Sequence, residues 1–384
     1  MTLPPGAPLA ADGRSQRPPS ASDSSRPAFP DQPGFQGGSE ISDPPLLSAL
    51  TTFRVGGPAR RFVIARTEAD LIAAVRAADA RGEPVLLVGG GSNLLVADDG
   101  FPGLVVLVAL RGFAAQPDGD GLGAVASAGE PWDDFVVWTL AHGRTGAEAL
   151  SGIPGTVGAA PVQNIGAYGA EAADVIASVR VFDRQRDEVR TFTAADCGFG
   201  YRTSLFKQTP DRYVVLSVGC RFQPGPLSAP IAYSELAHYL GVEAGQQVRA
   251  TFVRSAVLTI RGTKGMLPDP GDPDTWSAGS FFKNPVLPSA QAVRLPAAAP
   301  RWAQSDGTVK VSAAWLIEQA GFSKGYGAGP ARLSSRHVLA LTNRGTATAA
   351  DLLALAAAVR DGVRSAYGVT LEPEPVLVGC RLPD

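Results

Sequence analysis

Val85-Leu86-Leu87-Val88-Gly89-Gly90-Gly91-Ser92-Asn93-Leu94-Leu95-Val96 is a short apolar run that feeds into three glycines and out into a second apolar run. Short runs rich in Val and Leu read as strands. Glycines between them adopt φ > 0 without strain and turn successive backbone N–H groups toward one point, an anion nest suited to a pyrophosphate. Taken alone, a glycine run is more often a plain tight turn. No Gly-Lys-Ser/Thr follows to supply a phosphate lysine and a magnesium ligand, so the run is not a Walker loop. Before it, Leu71, Ile72, Val75 and Ala78 recur at helical spacing from Thr67, and Gly82 is a stop signal. After it, Leu104 to Val108 reads as another strand. Strand, helix and strand alternate, which argues for α/β or α+β.

Further along, Gly119, Gly121 and Ala124 imitate a dinucleotide fingerprint, but no strand is expected before them and no helix after them. Pro131 to His142 has Pro near a first turn, apolar Phe135, Val136 and Trp138, and Gly143 as terminator, which predicts a helix. The second glycine-rich element runs Ser151-Gly152-Ile153-Pro154-Gly155-Thr156-Val157-Gly158-Ala159-Ala160 and on through Gln163-Asn164-Ile165-Gly166-Ala167-Tyr168-Gly169. Ile153, Val157, Ile165 and Tyr168 are poor linker residues, so small residues at this density predict backbone pressed against a flat ligand. Ser178 to Phe222 alternates as strands do. Two helices are predicted at Ser312 to Ala320 and Thr348 to Tyr367, the second opened by a capping-box pattern with Asp351. Val369 to Leu371 and Val376 to Val378 read as short strands around Pro373 and Pro375.

A chain of 384 residues is long enough for two or three domains. Lys plus Arg is 34 against Asp plus Glu 36, a balance that offers no broad cationic face for nucleic acid or anionic lipid. Cys197, Cys220 and Cys380 are scattered, with no spacing for a disulfide framework or a metal site, which points to a reducing compartment. Leu104 to Leu110 is far short of the roughly 20 apolar residues that span a bilayer. Met1 to about Pro45 is crowded with Pro, Gly, Ser and Asp and carries no signal-type apolar segment, so it reads as a disordered extension and secretion is not expected.

Specific motifs go further. Thr52 with Val55-Gly56-Gly57-Pro58-Ala59, then Gly89 to Asn93, Ser151 to Gly169, Gly200-Tyr201-Arg202, Gly279-Ser280-Phe281-Phe282-Lys283-Asn284-Pro285 and Leu371-Glu372-Pro373-Glu374 occur in an order that closely resembles the UDP-N-acetylenolpyruvoylglucosamine reductases. The resemblance covers Leu47 to the C-terminus. It implies an α+β protein: the FAD-binding fold of vanillyl-alcohol-oxidase type, in two subdomains, plus a C-terminal α/β substrate-binding domain. On this sequence the subdomains fall at 46–110 and 111–228 and the substrate domain at 229–368, with strands at 369–384 returning to the FAD side and the extension at 1–45.

What the family does is then the expectation here: noncovalent FAD, NADPH as electron donor, a UDP-sugar enolpyruvyl ether as substrate, UDP-N-acetylmuramate for peptidoglycan as product, and a cytoplasmic location. The resemblance assigns Gly89, Gly90, Gly91, Ser92, Asn93, Ser151, Gly152, Ile153, Gly155, Thr156, Gly158, Gly166, Ala167, Tyr168 and Arg261 to the flavin side. Tyr233, Lys264 and Asn284 fall to the substrate, Tyr233 in a segment like the loop that folds over substrate in one subclass. Arg202, Ser280 and Glu374 fall to catalysis. The chemistry suits them. Hydride addition to the enol-ether CH₂ leaves charge beside the substrate carboxylate; a planar guanidinium at Arg202 grips that carboxylate. Glu374 donates a hydrogen bond to the same oxygens if burial keeps it in its acid form, and Ser280 gives its proton to the basic carbanion. Without the resemblance, Arg202 is an ordinary solvated arginine, Glu374 is as readily a surface carboxylate, and Ser280 a buried serine satisfied by backbone. His337 stands where some relatives carry glutamine, and it stays outside the catalytic set. A flavin oxidase or dehydrogenase of the same fold, acting on a small alcohol or hydroxy acid, is the alternative.

Overall fold

The computed structural model describes residues 40–116 and 122–383. Residues 1–39 of the Pro-rich segment, and Gly119 and Gly121, lie outside the described residues. Ile41 N already donates to Phe62 O at 3.0 Å, along the edge of the first strand.

Parallel strands need a long crossover, and the sequence supplies one. Strands Ala59–Ala65 and Val85–Val88 flank Phe101–Val108 in a three-stranded parallel sheet, and helix Glu68–Asp79 fills the connection between the first two. Thr67 and Asp70 close a capping box at the helix start, while Leu71, Val75 and Ala78 turn to the core. Gly82 follows at φ 63°. Leu104, Val105 and Val106 are all buried because both faces of the central strand are covered.

A five-stranded antiparallel sheet comes next, in the order Glu188–Thr193, Ile176–Asp183, Tyr213–Arg221, Gly123–Ser127 and Phe113–Gln116. Phe182, Val214 and Leu216 pack into the core of the parallel sheet, whereas Val179, Val181 and Val218 share a core with Trp132, Phe135 and Val136 of helix Trp132–Ala141. The Phe113–Gln116 strand corrects one expectation: a strand does precede the fingerprint-like glycines. After them comes the strand Gly123–Ser127, which holds Ala124, so no nucleotide-binding helix opens there.

The C-terminal core is built on helices Ala313–Gln319 and Ala349–Tyr367 with short strands at Val286–Pro288, Arg301–Ala303, Thr308–Val311, Ala331–Leu333 and Leu341–Asn343. Phe281 and Phe282 are fully buried in it, and Phe53 and Leu95 from the first half of the chain join the same cluster. The Phe53 and Phe281 rings meet edge to face at 6.3 Å. Val376–Val378 is a strand as expected, paired parallel with Leu94–Val96. Val369 to Leu371 is not: Val369 and Leu371 are buried apolar filling, and the pairing falls instead at Pro373, bridged to Phe282. A helix at Ala250–Thr263, absent from the sequence reading, shares a small core with helix Ser234–Leu240 that packs on Ala149 and Tyr168.

Candidate active site

The two glycine elements face each other through bare backbone. A methyl group on Gly90 would lie 2.7 Å from Gly155 Cα, and one on Gly91, at φ 60°, would lie 1.7 Å from Leu50 O. Only glycine permits such an approach. Ser92 Oγ donates to Pro154 O at 2.9 Å and locks the two loops together. Among the described residues, the N–H groups of Gly90, Gly91, Ser92 and Asn93 donate to no acceptor in the protein. Orphan amides on a side-chain-free surface fit the pyrophosphate and flat ring system of a dinucleotide.

The second element is held from behind. Ser151 is buried and its Oγ donates to Glu148 O at 2.6 Å. Gly152 N donates to Asp133 Oδ1 at 2.6 Å, and Asp133 is paired with Arg254. Arg261 is buried too: its Nε donates to Gly152 O at 3.1 Å and its Nη2 to Met266 O at 2.9 Å. Burial pushes its pKa down, and Tyr168 and Asp133 act the other way. Thr156 leads into the Val157–Ala159 turn, while Gly158 packs against Ala128 beneath the loop. Ile153 lies against the core of the antiparallel sheet. Gly166 and Ala167 form a two-residue hairpin with Ala170 and Glu171, with Tyr168 at φ 51° in its turn.

Arg202 and Glu374 meet, and a backbone bond brings the segment that carries Ser280 beside them. Glu374 N donates to Phe281 O at 2.7 Å, Lys283 N donates to Glu372 O at 3.0 Å, and Phe281 N donates to Leu339 O at 2.7 Å. This pairing sets the Ser280 block beside the Glu374 block. Asn93 Nδ2, at the end of the first glycine loop, reaches Glu374 O at 3.4 Å. Arg202, at φ 55°, donates from Nη2 to Gly166 O at 2.6 Å. Its Nε lies 2.8 Å from Glu374 Oε1, an ion-pair distance but without hydrogen-bond alignment. Glu374 thus has a cationic partner. Glu372 is exposed and pairs with Lys283 at 2.7 Å.

Two groups were missed or set aside. Ser280 Oγ lies 3.4 Å from His337 Nε2. Burial, then the Lys264, Lys324 and Arg261 cations, hold His337 down at about 4, so the ring is neutral near pH 7. Lys207, in the helical turn Leu205–Gln208 after Arg202, buries an ammonium with no hydrogen-bond partner among the described residues. Its pKa is lowered by burial and by Lys283, against an opposing pull from Glu374. The one signal for it was a lysine a turn beyond Gly-Tyr-Arg.

Of the residues expected to meet substrate, Tyr233 is 40% exposed and its ring meets that of Tyr168 edge to face at 5.7 Å. Lys264 Nζ sits 6.0 Å from the Tyr168 ring and pairs with Glu235 at 2.6 Å. Asn284 Oδ1 accepts from Ala313 N at 2.9 Å, capping a helix, and its N donates to the hydroxyl of Tyr201, next to Arg202, at 3.3 Å.

The chain is similar to known proteins. A family model for an FAD binding domain matches residues 59–193, and one for the UDP-N-acetylenolpyruvoylglucosamine reductase C-terminal domain matches 272–378. The UDP-N-acetylenolpyruvoylglucosamine reductase of Cutibacterium acnes is 54% identical over 340 residues, 88% of this chain and 90% of the relative. The chain belongs to that reductase family. The Streptomyces coelicolor reductase is 52% identical, over 89% of this chain and 91% of its own. The crystal structure of the Thermus caldophilus reductase superposes with a TM-score of 0.60 at 27% identity, covering 90% of this chain and all of that one. The α+β fold, the FAD and the FAD-dependent reduction of UDP-N-acetylenolpyruvoylglucosamine follow from this membership. Among the described residues no helix is long and apolar enough to cross a membrane.

Proposed function

We propose that the reductase takes electrons from NADPH and converts the enolpyruvyl ether of UDP-N-acetylglucosamine to UDP-N-acetylmuramate in the cytoplasm, with Arg202, Ser280 and Glu374 as its catalytic residues. Bound FAD supplies the hydride. Gly89 to Asn93 and Ser151 to Tyr168 hold the cofactor through backbone, and Arg261 braces the second loop from within. Arg202 takes the substrate carboxylate in its guanidinium fork and stabilises the charge that develops beside it. Glu374, beside the same guanidinium, donates a hydrogen bond to the substrate oxygens. Ser280 O–H then protonates the carbon next to the carboxylate. Tyr233 and Lys264 meet the sugar and diphosphate, and Tyr233 closes over them to exclude water.

What supports the reading is the junction itself. The backbone bond from Glu374 N to Phe281 O joins two candidate catalytic segments, and Asn93 ties them to the glycine loop. The test is an anaerobic stopped-flow trace: protein reduced by NADPH, then mixed with UDP-N-acetylglucosamine enolpyruvate. Rapid flavin reoxidation upholds the reading. Reduction by NADPH with no response to the substrate returns the oxidase alternative to first place.

A further inference from the structure

We propose that His337 is a positioning residue for the proton-donating step, its imidazole Nε2 holding the Ser280 hydroxyl so that the O–H faces the substrate carbon. The proposal rests on the reading of Ser280 as proton donor. Among the described residues, His337 is the one group in hydrogen-bond contact with Ser280 Oγ. The 3.4 Å separation is long, as contacts around a reacting group often are until substrate tightens them.

The ring is placed by a buried network. Asp274, 3% exposed, accepts from Ser334 Oγ at 3.0 Å, Ser335 N at 3.0 Å, Ser335 Oγ at 2.9 Å and Arg344 Nη1 at 2.6 Å. Ser334 Oγ in turn accepts from His337 N at 3.3 Å. A loop tied around a buried carboxylate fixes the backbone that carries His337 beside Ser280. Burial, then the positive charges of Lys264, Lys324 and Arg261, oppose protonation of the ring. A neutral ring donating from Nε2–H to Oγ leaves the hydroxyl proton free to point at the carbon. As the O–H bond breaks and the C–H bond forms, the negative charge passes from carbon to Oγ, where Nε2–H meets it; solvent then returns the proton to Ser280.

The test uses the FAD-loaded protein, reduced by NADPH without oxygen and mixed with the enolpyruvyl substrate; retention of the bound-flavin spectrum checks that each variant folds. His337→Leu should slow reoxidation about tenfold, the worth of one hydrogen bond to an oxygen gaining charge, with reduction by NADPH and substrate KM little changed. His337→Gln, a neutral side chain with an amide donor, should recover most of the rate. On a Ser280→Ala background, His337→Leu should add no further loss. A wild-type rate in His337→Leu, or losses that simply multiply in the double variant, would overturn the proposal and leave Ser280 as donor. A wild-type rate in Ser280→Ala would overturn the reading beneath it. A readout without turnover is labelled-histidine NMR, tractable with three histidines. His337 should be a neutral Nε2–H tautomer whose Nε2 resonance moves in Ser280→Ala; an Nδ1–H tautomer counts against it.

Discussion

The proposed flavin side and the proposed substrate side of this site are made of different material. The loops at Gly89 to Asn93 and Ser151 to Gly158 approach so closely that a methyl group on Gly90 would strike the backbone of Gly155, and one on Gly91 would strike that of Leu50. The junction of Arg202, Ser280, Glu374 and His337 is built from titratable side chains on segments far apart in sequence. Backbone recognition needs glycine at fixed places and tolerates nothing larger. Side-chain chemistry needs a few groups at the right distance and tolerates graded change. The two halves should therefore fail differently.

The sharpest break is Gly91→Ala. A side chain at φ 60°, pressed on Leu50 O, should cost about 4 kcal/mol or more and abolish flavin retention. Full FAD content and an unchanged urea midpoint would contradict the backbone account. Next, Ser280→Ala should keep FAD and its reduction by NADPH while slowing reoxidation by substrate on the order of 10²- to 10⁴-fold. Equal slowing of both half-reactions would remove Ser280 from the proton step. Third, His337 should mark the acid side of the stability curve. Its folded pKa of about 4 lies below the ordinary 6.5, so the folded state binds fewer protons between those values and stability falls as pH drops through that window. The loss is at most about 3 kcal/mol, reduced by solvent screening, and His337→Gln should flatten it in urea titrations across that range. The smallest effect is expected from Arg202→Lys, about ten- to a hundredfold in kcat/KM, because an ammonium lacks the planar fork. Wild-type turnover there would take Arg202 out of the site.

The same contrast explains what the sequence disclosed. Helices Glu68–Asp79 and Ala349–Tyr367 announced themselves because their apolar period and their capping boxes at Thr67 and Thr348 are local signals. The glycine loops were legible for the same reason. Helix Ala250–Thr263 escaped, although Val253, Ala256, Val257 and Ile260 form a helical stripe, because Arg249 at its start offers no side-chain cap. Val369 to Leu371 misled because an apolar run records burial and not ladder bonding. Arg202, Ser280 and Glu374 were reachable only through motif resemblance. The contact of Ser280 with His337 spans 57 residues, and no periodicity reports such a distance.

The pairing of Val376–Val378 with Leu94–Val96 has a consequence in time. Val376 N donates to Asn93 O and Ala97 N to Val378 O, each at 2.9 Å, so the first glycine loop is braced by a segment far along the chain. Contacts of such long sequence separation form late. The parallel sheet can assemble from segments close in sequence, but the first glycine loop gains its brace only when this distant strand arrives, so the loop is set after the sheet beside it.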